Sequence, residues 1–393
     1  MAGMTIAETV RAKFYERYGR HARVYRAPGR VNLIGEHTDY NQGFVMPAAI
    51  GLYCWLAIAA RADRRLNVYS SNFCESVSVD LGDNGVTRRG DWSDYVVGTA
   101  RALEQNGYAL SGADVLVHGE VPIGSGLSSS AAIEVSTGYG LLDISGAKIN
   151  LVQLALACRQ AENEFVGARV GIMDQFISAN GQSGHALMLD CRSLQAQPLP
   201  LPPDVRVVVC NTGVKHQLAG GEYNVRRGQC EEGVRLLSSA LPGIQALRDV
   251  TPDHLEQYKH LLPDVIYRRC RHVVTENDRV QRAAEALLKG DLATLGVLMA
   301  GSHRSLRDAY EVSCSELDQM VEIADAQPGV IGSRMTGGGF GGCAVSLVRG
   351  EVSEAFKSAV AEEYESHTHL HPDIYVLSAT EGVHAVSVGN FPA

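Results

Sequence analysis

The sequence predicts an α+β fold made of two domains. At 393 residues and 42.2 kDa, the chain is too long for one small hydrophobic core. Runs of β-branched residues occur along it together with segments of helical period, and a proline-rich stretch occupies 194–203. We therefore expect an N-terminal domain at 1–200 and a C-terminal domain at 201–393, joined by that stretch.

The composition is that of a folded protein without an extended basic surface. Hydrophobic residues make up 45% and charged residues 20% of the chain, and the formal net charge is -9. Because no basic stripe is found, the sequence argues against binding to nucleic acid. Small anionic ligands are not excluded, since backbone amides and single arginines can hold them.

The cysteines and the N-terminal segment indicate a cytoplasmic location. Nine cysteines are dispersed singly, without a Cys-x-x-Cys pair, which indicates reduced thiols. The first residues are predicted to form an amphipathic helix, with a capping box at Thr5 and Glu8 and an apolar stripe at Ile6, Val10 and Phe14, rather than a signal peptide. No apolar run of about 18 residues is present, so we expect a cytoplasmic protein without a membrane span.

Helices and strands are predicted from the hydrophobic period and from glycine, proline and capping residues. Strands at 52–59 and 66–70 are expected to form a hairpin around the charged residues 61–65. Asn150, with Gln153, is expected to form a capping box that opens a helix. Further strands are predicted at 113–118, 185–190, 205–211, 343–348 and 374–378, and helices at 92–103, 151–162, 223–237, 251–262, 268–288, 292–306 and 352–364.

A glycine- and serine-rich loop at 121–130 lies between a predicted strand and a predicted helix. Gly124 and Gly126 let backbone amides turn towards a ligand, and a helix that starts near Leu127 adds unpaired N–H groups and a positive dipole end. Phosphate is the natural ligand of such a loop. An isolated Gly-x-Gly would instead favour an ordinary turn with serine caps, so the interpretation depends on the other motifs.

The segment 24–43 carries many polar and charged groups around short apolar pairs. Arg30, Glu36, His37 and Asp39 fall within ten residues. Carboxylates beside an imidazole suit a polyhydroxylated ligand, because each hydroxyl both donates and accepts a hydrogen bond. For any one of these residues alone, a solvated loop with incidental salt bridges is the simpler interpretation.

Asp174 and Trp92 are two further candidate site residues because of the residues that surround them in the sequence. Asp174 lies among Ile172, Met173 and Phe176, where a carboxylate could serve as a base or charge stabiliser inside a cleft. Without the other motifs, a helix N-cap or a paired core aspartate is favoured. Trp92 could stack on a base or fill the core, and the local sequence favours the core.

A second glycine-rich segment and a histidine cluster lie near the C-terminus. Residues 337–342 match Gly-x-Gly-x-x-Gly, but a short apolar strand follows where a dinucleotide fingerprint requires a helix. A turn that lets another backbone approach closely is the better interpretation. His367, His369 and His371 could bind a metal on a strand, but an exposed polar turn is favoured.

Three blocks, at 29–43, 122–132 and 334–342, together resemble the GHMP kinases, which include galactokinase, homoserine kinase, mevalonate kinase and phosphomevalonate kinase. The first block is most similar to the galactokinase branch, and the resemblance covers essentially the whole chain. It implies a two-domain α+β fold, with an N-terminal mixed sheet and helices like domain 2 of ribosomal protein S5. The C-terminal half would be ferredoxin-like, and the active site would lie in the cleft between the halves.

The resemblance also implies a reaction and its residues. The γ-phosphoryl group of ATP would pass to the C1 hydroxyl of α-D-galactose, with Mg²⁺ as cofactor, in a monomeric protein. Asp174 would face that hydroxyl, as an early base or a late proton acceptor, and Arg30 would lie beside it. The sugar would be bound by Glu36, His37, Asp39, Gly171, Asp174 and Tyr223. The nucleotide would contact Trp92, Gly124, Ser125, Gly126, Leu127, Ser128, Ser129, Ser130 and Ala131, and Mg²⁺ would contact Ser130 and Glu162.

Two alternatives stay open at this stage. A kinase of the same family for N-acetylgalactosamine or another sugar would differ near the sugar 2-substituent, where Thr38 and Asn41–Gln42 fit the galactose type better. A sensor that binds galactose and ATP without turnover would resemble relatives that lack a Ser-Ala pair in the serine loop, whereas this chain has Ser130–Ala131.

Overall fold

The computed structural model describes residues 4–83, 85–214 and 219–387. Its helices are α1 (Ile6–Tyr18), α2 (Ser93–Gln105), α3 (Ser129–Ile144), α4 (Leu151–Gln160), α5 (Met173–Asn180), α6 (Ala219–Leu237), α7 (Pro252–Gln257), α8 (Asp264–Leu288), α9 (Leu292–Ser305), α10 (Ser315–Asp325) and α11 (Ser353–Thr368). Its strands are β1 (Arg23–Asn32), β2 (Phe44–Val45), β3 (Pro47–Ala60), β4 (Arg65–Ser70), β5 (Glu75–Asp80), β6 (Ala113–Gly119), β7 (His185–Asp190), β8 (Ala196–Pro200), β9 (Val205–Asn211), β10 (Val330–Thr336), β11 (Cys343–Arg349), β12 (Asp373–Leu377) and β13 (His384–Ala385).

A six-stranded sheet with the order β13-β1-β3-β6-β4-β5 forms the centre of the N-terminal half. Strand β6 pairs antiparallel with β3 and parallel with β4. The predicted hairpin of 52–59 with 66–70 is therefore wrong, because β6 lies between these strands. The first five residues of β6 are buried, so an inner position in the sheet covers more of its apolar surface than an edge would.

Helices cover both faces of this sheet. α3 packs across β1 and β3, with α2, α4 and α5 around it. On the other face, α1 buries Val10 and Phe14, and the predicted capping box of Thr5 and Glu8 is present. Asn150 caps α4, since its side-chain oxygen accepts from two backbone N–H groups, but the return bond from the Gln153 side chain that a capping box requires is not formed between these described residues. The N-terminal half is thus a mixed sheet between helical layers.

The segment 24–43 is not a solvated loop, because most of it is buried. Its first part forms β1, which pairs antiparallel with β3 over its full length. Arg30 is 5% exposed and Glu36 1% exposed. The alternative of incidental surface salt bridges is therefore wrong for this segment, since buried charges require fixed partners.

A four-stranded antiparallel sheet, β10-β11-β9-β12, organises the C-terminal half. The predicted strand at 205–211 is β9, an inner strand whose apolar side chains are buried on both faces. α10 and α11 cover one face through Met320, Phe356 and Val360. α10, β10 and β13 were not predicted, and the helix predicted at 251–262 ends early, at Gln257. The other C-terminal helices and strands lie close to their expected bounds.

The proline-rich stretch at 194–203 is not a free link. Its central part forms β8, which pairs with β7 at the edge of a three-stranded sheet. Pro198 and Pro200 are tolerated there because an edge strand leaves one row of N–H positions without a partner. Strand β13 also returns from the end of the chain to pair with β1. The two halves are therefore connected at more than one place.

All nine cysteines lie in the described part of the chain, and none forms a disulfide. Within the described ranges, no helix is both long and apolar enough to cross a lipid bilayer.

Candidate active site

A cavity of about 760 Å³ brings the sequence motifs together. Its wall includes parts of the glycine- and serine-rich loop, the segment 30–39, residues 168–174 and the glycine-rich turn. These pieces are distant in the chain and come from both halves. The interpretation of the glycine-rich turn as a place of close backbone approach is supported, because a Cβ on Gly337 would lie 2.7 Å from the carbonyl oxygen of Gly126.

The glycine- and serine-rich loop turns through three residues with positive φ. Gly124 and Gly126 have φ values of 73° and 80°, and Ser128 has a φ of 63°. The helix begins at Ser129, two residues later than predicted. Ser125 is 2% exposed and donates to the carbonyl of Pro122, so its hydroxyl faces away from the cavity. The groups of this loop that can contact a ligand are therefore its backbone atoms and the hydroxyls of residues 128–130.

Arg30 and Asp174 meet in the wall of the cavity. The Nε and Nη2 atoms of Arg30 each donate to one carboxylate oxygen of Asp174 at 2.7 Å. The Nη1 atom donates to the carbonyl of Gly126, and the hydroxyl of Ser128 donates to Asp174. Asp174 lies in the first turn of α5 and keeps 24% of its side chain exposed. It is paired, yet it still faces the cavity.

Asp39 lies close to the Arg30–Asp174 pair, and the position of its carboxylate requires a glycine at residue 171. A Cβ on Gly171 would lie 1.8 Å from Oδ2 of Asp39, so only glycine leaves room for the carboxylate. The backbone N–H of Tyr40 donates to Oδ1 at 2.9 Å. Burial, followed by the nearby charge of Asp174, raises the pKa of Asp39 to about 6. Tyr223 lines the same part of the cavity.

Glu36 and His37 both form hydrogen bonds within the protein that the sequence did not predict. The Glu36 carboxylate accepts from the Arg334 guanidinium, from the side chain of Asn32 at 2.9 Å and from the backbone N–H of Gly337 at 3.0 Å. Burial raises the pKa of Glu36, although Arg334 opposes this. Arg334 was not singled out as a site residue, although it belongs to the third sequence block.

Glu162 and Ser130 line the cavity beside Asp174. The amide nitrogen of Gln175 donates to Glu162 at 2.6 Å and to the buried Glu134 at 3.0 Å. Burial and the charge of Asp174 raise the pKa of Glu162 to about 7, while a hydrogen bond from Ser130 opposes the rise. Gln175 and Glu134 were not predicted from the sequence as site residues. The only signal was their position next to motif residues.

These oxygens fit a magnesium ion that takes most of its ligands from phosphates and water. A hydroxyl and one carboxylate are hard donors of the kind Mg²⁺ prefers. Within the described ranges, no group of three or more His, Cys, Asp or Glu side chains could hold a metal by itself. The donor set therefore fits a metal that is held jointly with a nucleotide.

An aromatic pair, Phe73 and Trp92, also lines the cavity. Trp92 precedes α2 and stacks on Phe73, with ring centroids 6.1 Å apart and planes 8° from parallel. Its Nε1 atom donates to Glu75 at 3.1 Å. Trp92 also packs against the N-terminal core, as the local sequence favours, while its stacking on a base stays a prediction.

The three C-terminal histidines lie away from this cavity. His367 is in the last turn of α11, His369 follows the helix end and His371 pairs with Glu365. They do not share a strand, so the strand geometry required for a metal site is absent at these described residues.

Comparison with known proteins identifies the family. A family model for the galactokinase galactose-binding signature matches residues 12–60. Models for the N-terminal and C-terminal domains of GHMP kinases match 94–182 and 283–366. Galactokinase from Chloroflexus aurantiacus is 49% identical over 95% of this chain and 96% of its own length, and galactokinase from Roseiflexus sp. is 46% identical over 95% and 96%. The chain belongs to the galactokinase family.

Solved structures agree with this membership. The crystal structure of Lactococcus lactis galactokinase complexed with galactose has a TM-score of 0.93 and 35% identity, covering 97% of this chain and 100% of that one. The Methanococcus jannaschii mevalonate kinase has a TM-score of 0.64 and 16% identity, covering 92% and 99%, and supports the fold alone. The predicted two-domain GHMP kinase fold is confirmed.

The three sequence blocks, which the fold brings together around the cavity, are those expected of a member of the galactokinase family. Membership in this kinase family makes the chain an ATP-dependent sugar kinase, in agreement with the prediction from sequence.

Proposed function

We propose that this galactokinase-family chain transfers the γ-phosphoryl group of ATP to the C1 hydroxyl of α-D-galactose. The observation that carries the proposal is the bidentate contact of Arg30 with Asp174, directly beside the carbonyl of Gly126. A charge pair is thereby held between a loop suited to phosphates and a group of residues suited to a sugar. The products are galactose 1-phosphate and ADP.

In the proposed reaction, Asp174 accepts the proton of the C1 hydroxyl. The hydroxyl oxygen forms a bond to the γ-phosphorus, and the bond from that phosphorus to the bridging oxygen breaks, so that ADP leaves with the electron pair. Arg30 stabilises charge on the migrating group and keeps Asp174 oriented. Phosphoryl transfer depends mainly on positioning and charge stabilisation, which these two side chains supply.

The proposed sugar end of the cavity consists of six residues that line it together. Their carboxylates, imidazole and phenol offer both acceptors and donors for hydroxyls. These residues are Glu36, His37, Asp39, Gly171, Asp174 and Tyr223.

The proposed nucleotide end consists of the glycine- and serine-rich loop and the aromatic pair. Backbone N–H groups at the start of α3 suit the phosphates, and Trp92 suits the base. The assigned residues are Trp92, Gly124, Ser125, Gly126, Leu127, Ser128, Ser129, Ser130 and Ala131. Ser130 and Glu162 would hold Mg²⁺, which supplies charge neutralisation for the phosphates when bound.

The experiment measures ADP release with ATP, Mg²⁺ and a panel of sugars that includes galactose, N-acetylgalactosamine, glucose and mevalonate as a non-sugar control. We expect rapid release with galactose and a product identified by phosphorus NMR as galactose 1-phosphate. Preference for N-acetylgalactosamine would replace the substrate assignment. Binding of galactose and ATP without ADP release would mean a sensor.

The proposal also includes the cellular setting and the domain division. The nine unpaired cysteines support a cytoplasmic location, and the net charge of -9 is consistent with a protein that does not bind nucleic acid or membrane surfaces. We propose a monomer, which light scattering coupled to size-exclusion chromatography tests. Domains at 1–200 and 201–393 remain our proposed division, and limited proteolysis tests it.

A further inference from the structure

Gln175 carries a buried amide that lies between two carboxylates. The residue is 0% exposed and follows Asp174 in the first turn of α5. Its Nε2 atom lies 2.6 Å from Oε2 of Glu162 and 3.0 Å from Oε2 of Glu134. Glu134 is also 0% exposed and comes from the second turn of α3. The amide therefore connects α3, α5 and the segment that carries Glu162.

The two carboxylates determine how this amide is oriented. A carboxylate oxygen accepts hydrogen bonds, and the two hydrogens of one amide nitrogen can serve two acceptors at once. The opposite orientation would place the amide oxygen against two carboxylate oxygens. The Oε1 atoms of Gln175 and Glu134 are buried and have no hydrogen-bond partner in the part of the chain that the structure describes. The two N–H contacts therefore hold the amide in place.

Glu162 is fixed through its backbone as well as through its carboxylate. It lies in a π-helical segment, Ala161–Val166, that continues α4. Its carbonyl oxygen accepts from the N–H groups of Gly167 at 2.8 Å and Ala168 at 3.0 Å. Short π-helical turns are frequent at functional sites. Here the turn brings the Glu162 side chain into the cavity wall in a defined orientation.

Gln175 engages one of the two oxygens of the Glu162 carboxylate. Its contact is with Oε2, so Oε1 is the oxygen that the amide leaves free. A carboxylate held in this way presents one oxygen to a cation more readily than two. Mg²⁺ requires near-octahedral geometry, whereas Ca²⁺ takes about six to eight oxygens and often binds both oxygens of one carboxylate. The arrangement therefore favours the smaller ion.

An amide orients Glu162 without adding a positive charge beside it. A lysine or arginine in this place would compensate the carboxylate and repel a divalent cation. Neither Gln175 nor Glu134 is among the described residues that line the cavity. Gln175 therefore acts on a ligand through Glu162, and Glu134 acts through Gln175.

We propose that Gln175 sets the preference for Mg²⁺ over Ca²⁺ by holding Oε2 of Glu162, and that Glu134 fixes the amide from its other side. Both are positioning residues. The inference rests on the proposed assignment of Ser130 and Glu162 to Mg²⁺. Its consequence is that loss of the amide changes the affinity for one ion relative to the other, which a general loss of folding stability would not do.

The test measures the Kd of ADP by calorimetry, without sugar, in an excess of either Mg²⁺ or Ca²⁺. Gln175→Met keeps the length of the side chain and removes the N–H groups. We expect this variant to bind MgADP about tenfold more weakly, the lower end of the range for losing the partner of a metal ligand. CaADP affinity should change by less than about twofold, because the freed Oε2 can join Oε1 on the larger ion. The ratio of the CaADP Kd to the MgADP Kd should therefore fall.

Two variants of Glu134 test its part in this arrangement. Glu134→Gln keeps an oxygen that can accept from Gln175, whereas Glu134→Met does not. We expect the first to retain the wild-type ratio of the two Kd values and the second to lower it. The double variant of Glu134→Met and Gln175→Met removes the second carboxylate together with the amide. It should show the same fall in the ratio as Gln175→Met, and it serves if that single variant does not fold.

Gln160→Met is the matched control for the loss of an amide. Its Nε2 atom also donates to a glutamate, Glu164, at 2.9 Å. Neither of these two residues is among the described residues that line the cavity. Gln160→Met should therefore keep the wild-type ratio.

An unchanged ratio in both Gln175→Met and the double variant would overturn the inference, and so would an equal fall in Gln160→Met. An equal fall in Glu134→Gln and Glu134→Met would remove Glu134 from it. If ADP binding by the wild-type protein does not respond to Mg²⁺, the assignment of Ser130 and Glu162 to the metal fails instead.

Discussion

Arg30 and Asp174 are joined by two N–H···O contacts of 2.7 Å, although 144 residues separate them in the chain. Arg30 comes from β1 of the central sheet, and Asp174 comes from the first turn of α5. A third contact ties Arg30 to the carbonyl of Gly126. The pair therefore connects the proposed sugar and phosphate ends of the cavity through one guanidinium.

Asp174→Asn should lower turnover by about three orders of magnitude, within the usual range for removal of a proton acceptor together with its charge. The amide keeps the size of the side chain, so galactose and MgADP should still bind. Turnover is measured by coupled ADP release and binding by calorimetry. Near-normal turnover would exclude the proposed role of Asp174.

Gly171→Ala should weaken galactose binding by about tenfold or more, because its Cβ would lie 1.8 Å from Oδ2 of Asp39 and displace that carboxylate. Gly228→Ala is the matched control, since a Cβ there meets nothing within 4 Å. The Kd of galactose is measured for both variants. Equal affinities in the two variants would mean that Asp39 does not contact the sugar.

The pH dependence of galactose binding should follow Asp39. Burial raises its pKa from 3.8 to about 6, so the contribution of this group to folding stability is fully present below pH 3.8 and is lost as the pH rises through 6. The affinity for the sugar should change with pH in the opposite direction, because the ionised carboxylate is the better hydrogen-bond acceptor. Galactose affinity should therefore fall as the pH is lowered through 6.

Asp39→Asn provides the control for this profile. Its galactose affinity should be lower at pH 8 and should change little between pH 8 and pH 5, because the asparagine does not titrate. Calorimetric titrations across this range test both proteins. A wild-type profile that is flat through pH 6 would contradict the assignment.

Glu162→Gln should raise the Mg²⁺ concentration needed for half-maximal activity by about tenfold or more, since a neutral amide is a poorer ligand for a hard cation. Glu164→Gln, an exposed position in the same turn, should leave that concentration close to the wild-type value. Calorimetry of MgADP binding to the free proteins gives a readout that does not depend on turnover. Equal Mg²⁺ dependence in both variants would remove Glu162 from the metal site.

The sequence by itself determined the motifs and many of the elements. The capped helix α1, the buried strand β9 and the strand that follows the glycine-rich turn all depend on local period, caps and glycine positions. Such features are set by residues close together in the chain, so they can be predicted from it. The family resemblance of the three blocks is likewise contained in the sequence.

Only the tertiary structure decided which strands pair and which polar groups meet. Strand β6 separates β3 from β4, and β8 uses the proline-rich stretch as a sheet edge. The contact of Glu36 with Arg334 and that of His37 with the carbonyl of Gly338 follow from the packing of distant segments around the cavity. Burial raises the free-energy cost of an unpaired polar group, so these partners depend on what each side chain meets after folding, which local sequence does not specify.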